Sequence, residues 1–454
     1  MTDTTPPPAP GRSHPWGLPR PRWFGSPLLR KGLFLIVLVL LFLLPLDLVR
    51  GLVGERAWRQ VEVAQEIARL WGPAQTLSGP LVVVPVAEAS GKRGLLFLLP
   101  ERLAVAGQLA PELRRRGLFE ALVYQAALEV EASFRLPSAE SLGLQPRQLL
   151  WEEARLLLRA TELAGLSGSV AVALEGGGET RLRPPVLVRA PGALEAPLAG
   201  LQPGGTLALS FALTLAGSGG FAVVPAGESS SIALQAPWPH PSFGGAGLPQ
   251  ESAIGEAGFT AAWQASAFAE GLPSAWIVRP GDDVGAQLAL LDHAALGVAL
   301  IQPVDAHVMS ERAVKYALFV LALVFAAVFL FEVAGGRPLH PVQYLLVGAA
   351  ETLFYLLLLS LAEALGFDPA YALASAATVA LIACYLAVSL GSWRRGVALG
   401  AGLAAVKGYL YVTLASEDFA LLSGSLALFL LLAALMLATR KVDWYRLQAR
   451  GAGG

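Results

Sequence analysis

Two charged residues lie deep inside apolar segments, and they are the first candidates for chemistry in this chain of 454 residues. Glu351 and Lys407 fall well inside segments that begin near residues 342 and 396. Because an unpaired charge in a bilayer core costs several kcal/mol, we expect the two side chains to form an intramembrane ion pair. Such a pair either locks two helices together or takes part in a proton or ion relay, and the sequence leaves both readings open.

The segment at 238–245, Trp-Pro-His-Pro-Ser-Phe-Gly-Gly, is the second candidate. Its two prolines fix φ and its two glycines permit positive φ, which predicts a rigid loop that presents Trp238, His240 and Phe243. Conformationally fixed aromatic side chains bind a partner at low entropic cost, so this is a candidate recognition loop. The alternative is an ordered turn that caps the core of a β domain.

Histidines with acidic neighbours are the remaining pattern of interest. His293 follows Asp292, and His307 lies near Asp305 and Glu311, but no two histidines have the i, i+4 spacing of a helical metal site. The nucleophile elbow, the phosphate loop, H-E-x-x-H, G-x-G-x-x-G and cysteine pairs are absent from the sequence. We therefore predict no catalytic residues, no metal and no cofactor, and a protein that is not an enzyme.

Composition separates this chain from soluble and nucleic-acid-binding proteins. It is 55% hydrophobic and 15% charged, with a mean hydropathy of +0.57, which is too apolar for an ordinary soluble protein. A net charge of −1 provides no basic field for nucleic acid. The single cysteine, Cys384, excludes disulfides and thiolate metal clusters within the chain.

Six apolar segments, each long enough to approach a bilayer crossing, are distributed as one plus five. The first is an anchor helix at 33–50. The other five form a predicted transmembrane bundle over 314–439, with helices at about 314–334, 342–363, 370–390, 396–415 and 419–439. The lipid bilayer is accordingly an expected partner, and the predicted fold class is an α-helical membrane protein of six spans.

Basic residues flank alternate ends of these segments, and this pattern predicts the orientation. Lys and Arg near a span are retained in the cytoplasm. They occur before the first span, in the turns at 337 and 394–395, and in the tail at 440–454, whereas Asp368 and the acids at 417–418 occupy the other turns. We therefore expect both termini in the cytoplasm and residues 51–313 in the periplasm.

The long section between the first and second spans predicts a β-rich domain. Apolar positions at helical spacing first indicate a helix at 53–71, and short apolar runs bounded by Gly and Pro then indicate many strands. This favours a large, predominantly β, sandwich-type periplasmic domain, with a possible subdomain boundary near 203–205. The proline-rich leader at 1–32 is predicted to be cytoplasmic and disordered.

Several motifs, in order along the chain, resemble those of one family. They are Ser-Pro-Leu-Leu-Arg-Lys (26–31), Trp-Gly-Pro-Ala-Gln-Thr-Leu-Ser-Gly-Pro (71–80), the 238–245 segment, Gln-Pro-Val-Asp (302–305) with Glu-Arg-Ala-Val-Lys-Tyr (311–316), His-Pro-Val-Gln-Tyr-Leu-Leu-Val-Gly (340–348) and Glu-Asp-Phe-Ala-Leu-Leu-Ser-Gly-Ser (417–425). With the layout of one plus five spans, they resemble the CreD-type inner-membrane proteins, the cell envelope integrity proteins.

This resemblance implies a multi-pass protein of the bacterial inner membrane that contributes to envelope integrity and the response to envelope stress. The leading hypothesis is a non-enzymatic protein whose periplasmic domain binds an envelope component or a protein partner. An ion-coupled or small-molecule transporter is the alternative, motivated by Glu351 and Lys407, and a periplasmic hydrolase is a further one. The resemblance supplies no catalytic residues.

Overall fold

The computed structural model describes residues 27–88, 91–117, 119–269, 271–302, 306–335 and 337–415, together with 425, 426, 429, 433, 436 and 440. The leader up to residue 26, almost all of the span expected at 419–439 and the tail after 440 lie outside the described residues. The chain divides into two compact units. One comprises Met1–Glu55 and Ala306–Gly454, and the other comprises Arg56–Asp305.

The described part of the chain forms eight α-helices. They are α1 (Pro27–Leu41), α2 (Leu43–Trp71), α3 (Val284–Leu291), α4 (Ala306–Lys315), α5 (Ala317–Gly335), α6 (Pro341–Leu365), α7 (Phe367–Ser389) and α8 (Trp393–Ala415). Four helical stretches are long and apolar enough to cross a membrane, or five if the bent pair α4 and α5 counts as one span.

The helix boundaries differ from the sequence prediction at two places. Helix α1 begins at Pro27 rather than at residue 33. Proline is well suited to the first helical turn, because the backbone N–H that it lacks would have no partner within the helix. Before the span predicted at 314–334, the separate helix α4 meets α5 with a bend of 44°. The burial of Met309, Ala313 and Val314 at helical spacing explains α4, because one face of this short helix packs into the helical core.

Hydrogen bonds show which connections share an end of the helical unit. Lys31 Nζ, near the start of α1, donates to Leu339 O at 2.9 Å, and Arg337 Nη1 donates to Leu390 O at 3.5 Å. These contacts place the start of α1, the α5–α6 connection and the α7–α8 connection at one end. At the other end, Tyr411 OH donates to Asp368 Oδ1 at 2.9 Å, joining the last turns of α8 to the start of α7.

Small residues allow α7 and α8 to approach closely. Gly396 and Gly400 of α8 lie against Ala383 and Ala387 of α7, and a Cβ at Gly400 would lie 2.8 Å from the Cβ of Ala383. Glycine and alanine four residues apart are the usual means of packing helices in a membrane, where dispersion contacts replace the hydrophobic effect.

The described residues of the other unit form sixteen strands. They are β1 (Gln75–Ala87), β2 (Arg93–Leu98), β3 (Arg102–Arg116), β4 (Phe119–Arg135), β5 (Arg155–Ala160), β6 (Ala171–Leu174), β7 (Gly178–Arg181), β8 (Ala193–Pro197), β9 (Thr206–Ser218), β10 (Gly220–Val223), β11 (Ser229–Ala236), β12 (Pro241–Gly245), β13 (Glu251–Gly255), β14 (Gly258–Ala265), β15 (Ala275–Val278) and β16 (Leu296–Leu300). The unit is therefore predominantly β.

These strands form two eight-stranded sheets that share one hydrophobic core. The first sheet runs β12-β16-β10-β1-β2-β15, with β5 and β8 branching from β1; the second runs β13-β14-β11-β3-β4-β9-β6-β7. In β3, Leu103, Val105 and Leu109 point into the core while Ala104, Ala106 and Gln108 are exposed, as the period of two requires. Residues 203–205 form the turn before β9, inside this unit.

Candidate functional site

Lys407 and Glu351 are joined by a buried ion pair in the helical unit. Lys407 Nζ lies 3.0 Å from Glu351 Oε2, and the two side chains are 2% and 1% exposed. The ammonium also lies 3.4 Å from the centre of the Phe354 ring, a cation–π contact that further compensates its desolvation. Because Glu351 lies on α6 and Lys407 on α8, the pair fixes the two helices against each other.

Two polar atoms beside this pair have no hydrogen-bond partner among the described residues. They are Glu351 Oε1 and Tyr355 OH, both buried, on α6 one helical turn apart. Tyr371, by contrast, donates from its hydroxyl to Lys407 O at 2.7 Å and so ties α7 to the backbone of α8. A groove of about 480 Å³ between α7 and α8 extends from Asp368 to Lys407 and has Tyr371 and Tyr411 on its walls.

A second ion pair occurs in the helical unit, and sequence reasoning missed it. Lys31 bonds to Glu332 Oε1, and Tyr344 OH donates to Glu332 Oε2 at 2.7 Å. Glu332 is buried in this arrangement. Lys31 lies near the start of α1 and Glu332 near the end of α5, which is the same end of the helical unit, and that shared depth was the available signal.

The segment at 238–245 turns its aromatic side chains inward. Residues 241–245 form β12, the edge strand beside β16. Trp238 Nε1 donates to Ile301 O at 2.9 Å, and the Phe243 ring packs edge-on against Phe259 and Trp263. Of the three residues predicted for recognition, His240 is exposed whereas Trp238 and Phe243 are half-buried, so this arrangement fits the capping alternative better than a display of aromatic rings.

The histidines with acidic neighbours do not form a metal site in the described part of the chain. No group of three or more His, Cys, Asp or Glu side chains there is arranged to hold a metal ion. Asp292, in the turn that follows α3, forms an ion pair with Arg159 of β5 instead. His307 belongs to α4, and its side chain lies outside the described set.

The exposed face of the second sheet contains a hollow that the sequence did not predict. The hollow has a volume of about 780 Å³ and spans six strands, from β13 to β9. Two further depressions, of about 610 and 550 Å³, lie on the same face. We call the largest one the sheet hollow; Ala106, Ala233 and Ala262 form its floor, and Glu129 and Glu251 stand on it.

The strand register explains how distant residues meet in the sheet hollow. Glu251 pairs with Ala262, Ala262 with Ala233, Ala233 with Ala106, and Ala106 with Glu129, so the five side chains form one row across five strands. A second row, formed by Thr260, Gln235 and Gln108, lies beside the first. Alanine side chains leave space above the sheet, and amides and carboxylates border that space.

Residues of the 71–80 motif hold the helix-to-sheet junction of the β unit together. Trp71 Nε1 donates to Tyr124 O at 3.2 Å, and Gln75 Nε2 donates at 3.1 Å to both Glu162 O and Ala216 O. Tyr124 OH in turn donates to Gly220 O at 2.6 Å, and burial raises the pKa of this phenol above its usual value near 10. The motif is thus structural.

Comparison with known proteins identifies similarities across most of the chain. Residues 27–445 match the family model described as Inner membrane protein CreD. A protein of Escherichia coli strain K12 with that same name is 34% identical over 446 residues, which is 92% of this chain and 94% of the relative.

Solved structures give much weaker likenesses. An M1 zinc metallopeptidase from Deinococcus radiodurans is 16% identical, with a TM-score of 0.20 over 37% of this chain and 38% of that one. A crystal structure of a putative nutrient binding protein from Legionella pneumophila is 7% identical, with a TM-score of 0.27 over 56% and 79% of the two chains. At these scores neither likeness informs fold or activity.

Proposed function

Since the chain belongs to the CreD family of inner membrane proteins, we propose that it supports the integrity of the cell envelope by binding an envelope component or protein partner through its β unit. In this proposal the protein is not an enzyme. It has six spans, the sixth being the segment at 419–439, and its β unit lies in the periplasm.

The distribution of charge between the two ends of the helical unit supports this orientation. The end that contains the start of α1 and the α5–α6 connection holds Lys31 and Arg337, with Arg394 and Arg395 beginning α8. The other end holds Asp368. By the positive-inside rule the basic end is expected to face the cytoplasm, and this supports the proposal that both termini lie there and residues 51–313 lie outside.

The sheet hollow is the observation that carries the binding function. A protein surface has few large concave regions lined by small side chains and a few convergent polar groups. Such regions are the default candidates for ligand sites. The described lining contains no His or Cys. It is therefore better suited to holding a partner than to activating a nucleophile.

Photo-crosslinking in living cells tests this function. A photoreactive residue at Ala106 or Ala233, on the floor of the hollow, should give a discrete adduct with an envelope component. A probe at Ala110 is the matched control, because Ala110 lies on the same exposed face of β3 but outside the hollow. A probe at His240 separately tests the recognition role of the 238–245 segment. Equal adducts from Ala106, Ala233 and Ala110, or none from the hollow, would contradict the proposal.

An ion-coupled activity is the second candidate, and it is favoured by Glu351 Oε1 and Tyr355 OH, which have no hydrogen-bond partner among the described residues. A carboxylate oxygen without a hydrogen bond can accept a proton or bind a water molecule. The distinguishing result is a double variant, Glu351→Gln with Lys407→Met, that regains stability but loses envelope function entirely. Full envelope function in that variant would leave the pair a purely structural role.

A further inference from the structure

We propose that the sheet hollow binds an extended polypeptide segment with basic side chains near both ends. This inference rests on the proposed binding function and specifies the chemical class of the partner.

The positions of the two carboxylates define the length of this segment. Glu251 on β13 and Glu129 on β4 are separated by four strand spacings, which is about 19 Å at roughly 4.8 Å per spacing. An extended chain advances about 3.3 Å per residue and turns alternate side chains to the same face, so two cationic side chains six residues apart reach both carboxylates.

The two carboxylates also lack counter-ions among the described residues, unlike several other glutamates of the β unit. Glu66, Glu101 and Glu153 form ion pairs with Arg116, Arg135 and Arg93. Glu129 and Glu251 are exposed on the hollow and form no ion pair within the described residues. A partner that supplies positive charge at these two points would therefore complement the surface, and electrostatic complementarity of this kind selects partners and steers their approach.

The floor and the border of the hollow suit a peptide backbone. Ala262, Ala233 and Ala106 extend only a methyl group above the sheet, so a chain can lie close to it. Gln235 and Gln108 stand side by side along one border, and each amide can both donate to and accept from a peptide group. None of the described residues that line the hollow is aromatic. Because sugar rings are generally held by stacking on aromatic side chains, the hollow favours a peptide over a glycan.

A binding measurement on the full-length protein in lipid nanodiscs tests this ligand class. The probe is a fluorescein-labelled heptapeptide with lysine at its first and seventh positions and alanine between them. Glu129→Gln and Glu251→Gln should each weaken binding by about threefold, and together by about tenfold, as expected for partly exposed ion pairs. Binding should also weaken as salt is raised, because salt screens these charges.

Matched controls make the outcome decisive. Glu140→Gln removes an exposed carboxylate away from the hollow and should leave binding unchanged. A heptapeptide with glutamate in place of both lysines should not bind. The inference is overturned if the wild-type protein fails to bind the lysine peptide, binds both peptides equally, prefers a chito-oligosaccharide, or is unaffected by the double substitution. If the inference is overturned but the photo-crosslinked adducts from Ala106 and Ala233 are still observed, only the ligand class is wrong. If those adducts are also missing, the proposed binding function is wrong as well.

Discussion

Lys407 Nζ and Glu351 Oε2 lie 3.0 Å apart with both side chains almost fully buried, so neither charge is compensated by water. Removing one partner of such a pair strands the other charge in a medium of low dielectric constant, whereas removing both does not. Glu351→Gln and Lys407→Met should therefore each destabilise the protein by about 3 kcal/mol, and the double variant should recover most of that loss. Thermal unfolding of the purified protein in detergent measures this.

The exposed pair Lys315–Glu311 is the control, since its atoms are also 3.0 Å apart. Its disruption should change stability by less than about 1 kcal/mol. Additive losses at Glu351 and Lys407 would show that the two residues do not interact.

Close packing between α7 and α8 predicts a selective effect of glycine substitutions. Gly400→Leu places a side chain against Ala383 and should destabilise the protein by about 2 kcal/mol through overpacking. Gly402 lies on the same helix with open space around it, so Gly402→Leu should have little effect. The yield and thermal midpoint of the two variants should differ accordingly, and equal losses would argue against close α7–α8 packing.

Glu195 is a buried carboxylate that organises a loop of the β unit. Its oxygens accept hydrogen bonds from the backbone N–H groups of Val186, Leu187 and Val188, at 2.6 to 3.0 Å. Glu195→Gln replaces one acceptor with a donor that faces these N–H groups, so the free energy of unfolding should fall by about 2 kcal/mol. Glu179→Gln, which alters an exposed ion pair with Arg181, is the comparison and should be nearly neutral.

Tyr124 predicts how the stability of the β unit responds to alkaline pH. Burial raises the pKa of its phenol in the folded state, so above the unfolded value of about 10 the unfolded chain loses this proton before the folded one does. Its contribution to stability is therefore complete below about pH 10 and declines as pH rises further.

Tyr124→Phe should lower the thermal midpoint at neutral pH, because the hydrogen bond to Gly220 O is lost, while making the alkaline decline shallower. Circular dichroism of the β signal at several pH values measures both effects. An unchanged alkaline slope in the variant would mean that Tyr124 does not titrate differently on folding.

The sequence predicted features that depend on local pattern or on depth along a helix. Short apolar runs bounded by Gly and Pro predicted many strands between the first and second spans, and β3 is one of them. Counting residues from the starts of two spans predicted that Glu351 and Lys407 face each other. Both inferences need only the pattern within a single segment or the thickness of a bilayer.

Features that depend on pairing between distant strands could not be predicted. In the sheet hollow, β11 pairs with β3 in parallel and with β14 in antiparallel orientation. The register of these two pairings aligns Ala106, Ala233 and Ala262 and so creates the hollow. No turn or motif specifies that register. Likewise, the prolines and glycines of 238–245 indicated a rigid segment and led to the expectation that Trp238 and Phe243 are presented to solvent. The direction in which these side chains point depends on the pairing of β12 with β16, which the composition of the segment does not reveal.

The orientation of the β unit is the claim on which both binding proposals depend, and thiol labelling of intact cells tests it most directly. Cys384→Ser provides a background without native cysteine. A cysteine at Ala257 lies in the exposed turn between β13 and β14. It should react with an impermeant thiol reagent in cells whose outer membrane has been mildly permeabilised and whose inner membrane is intact. A cysteine at Ser392, between α7 and α8, should react only after the inner membrane is disrupted. Labelling of Ser392 with protection of Ala257 would reverse the topology and contradict a periplasmic binding function.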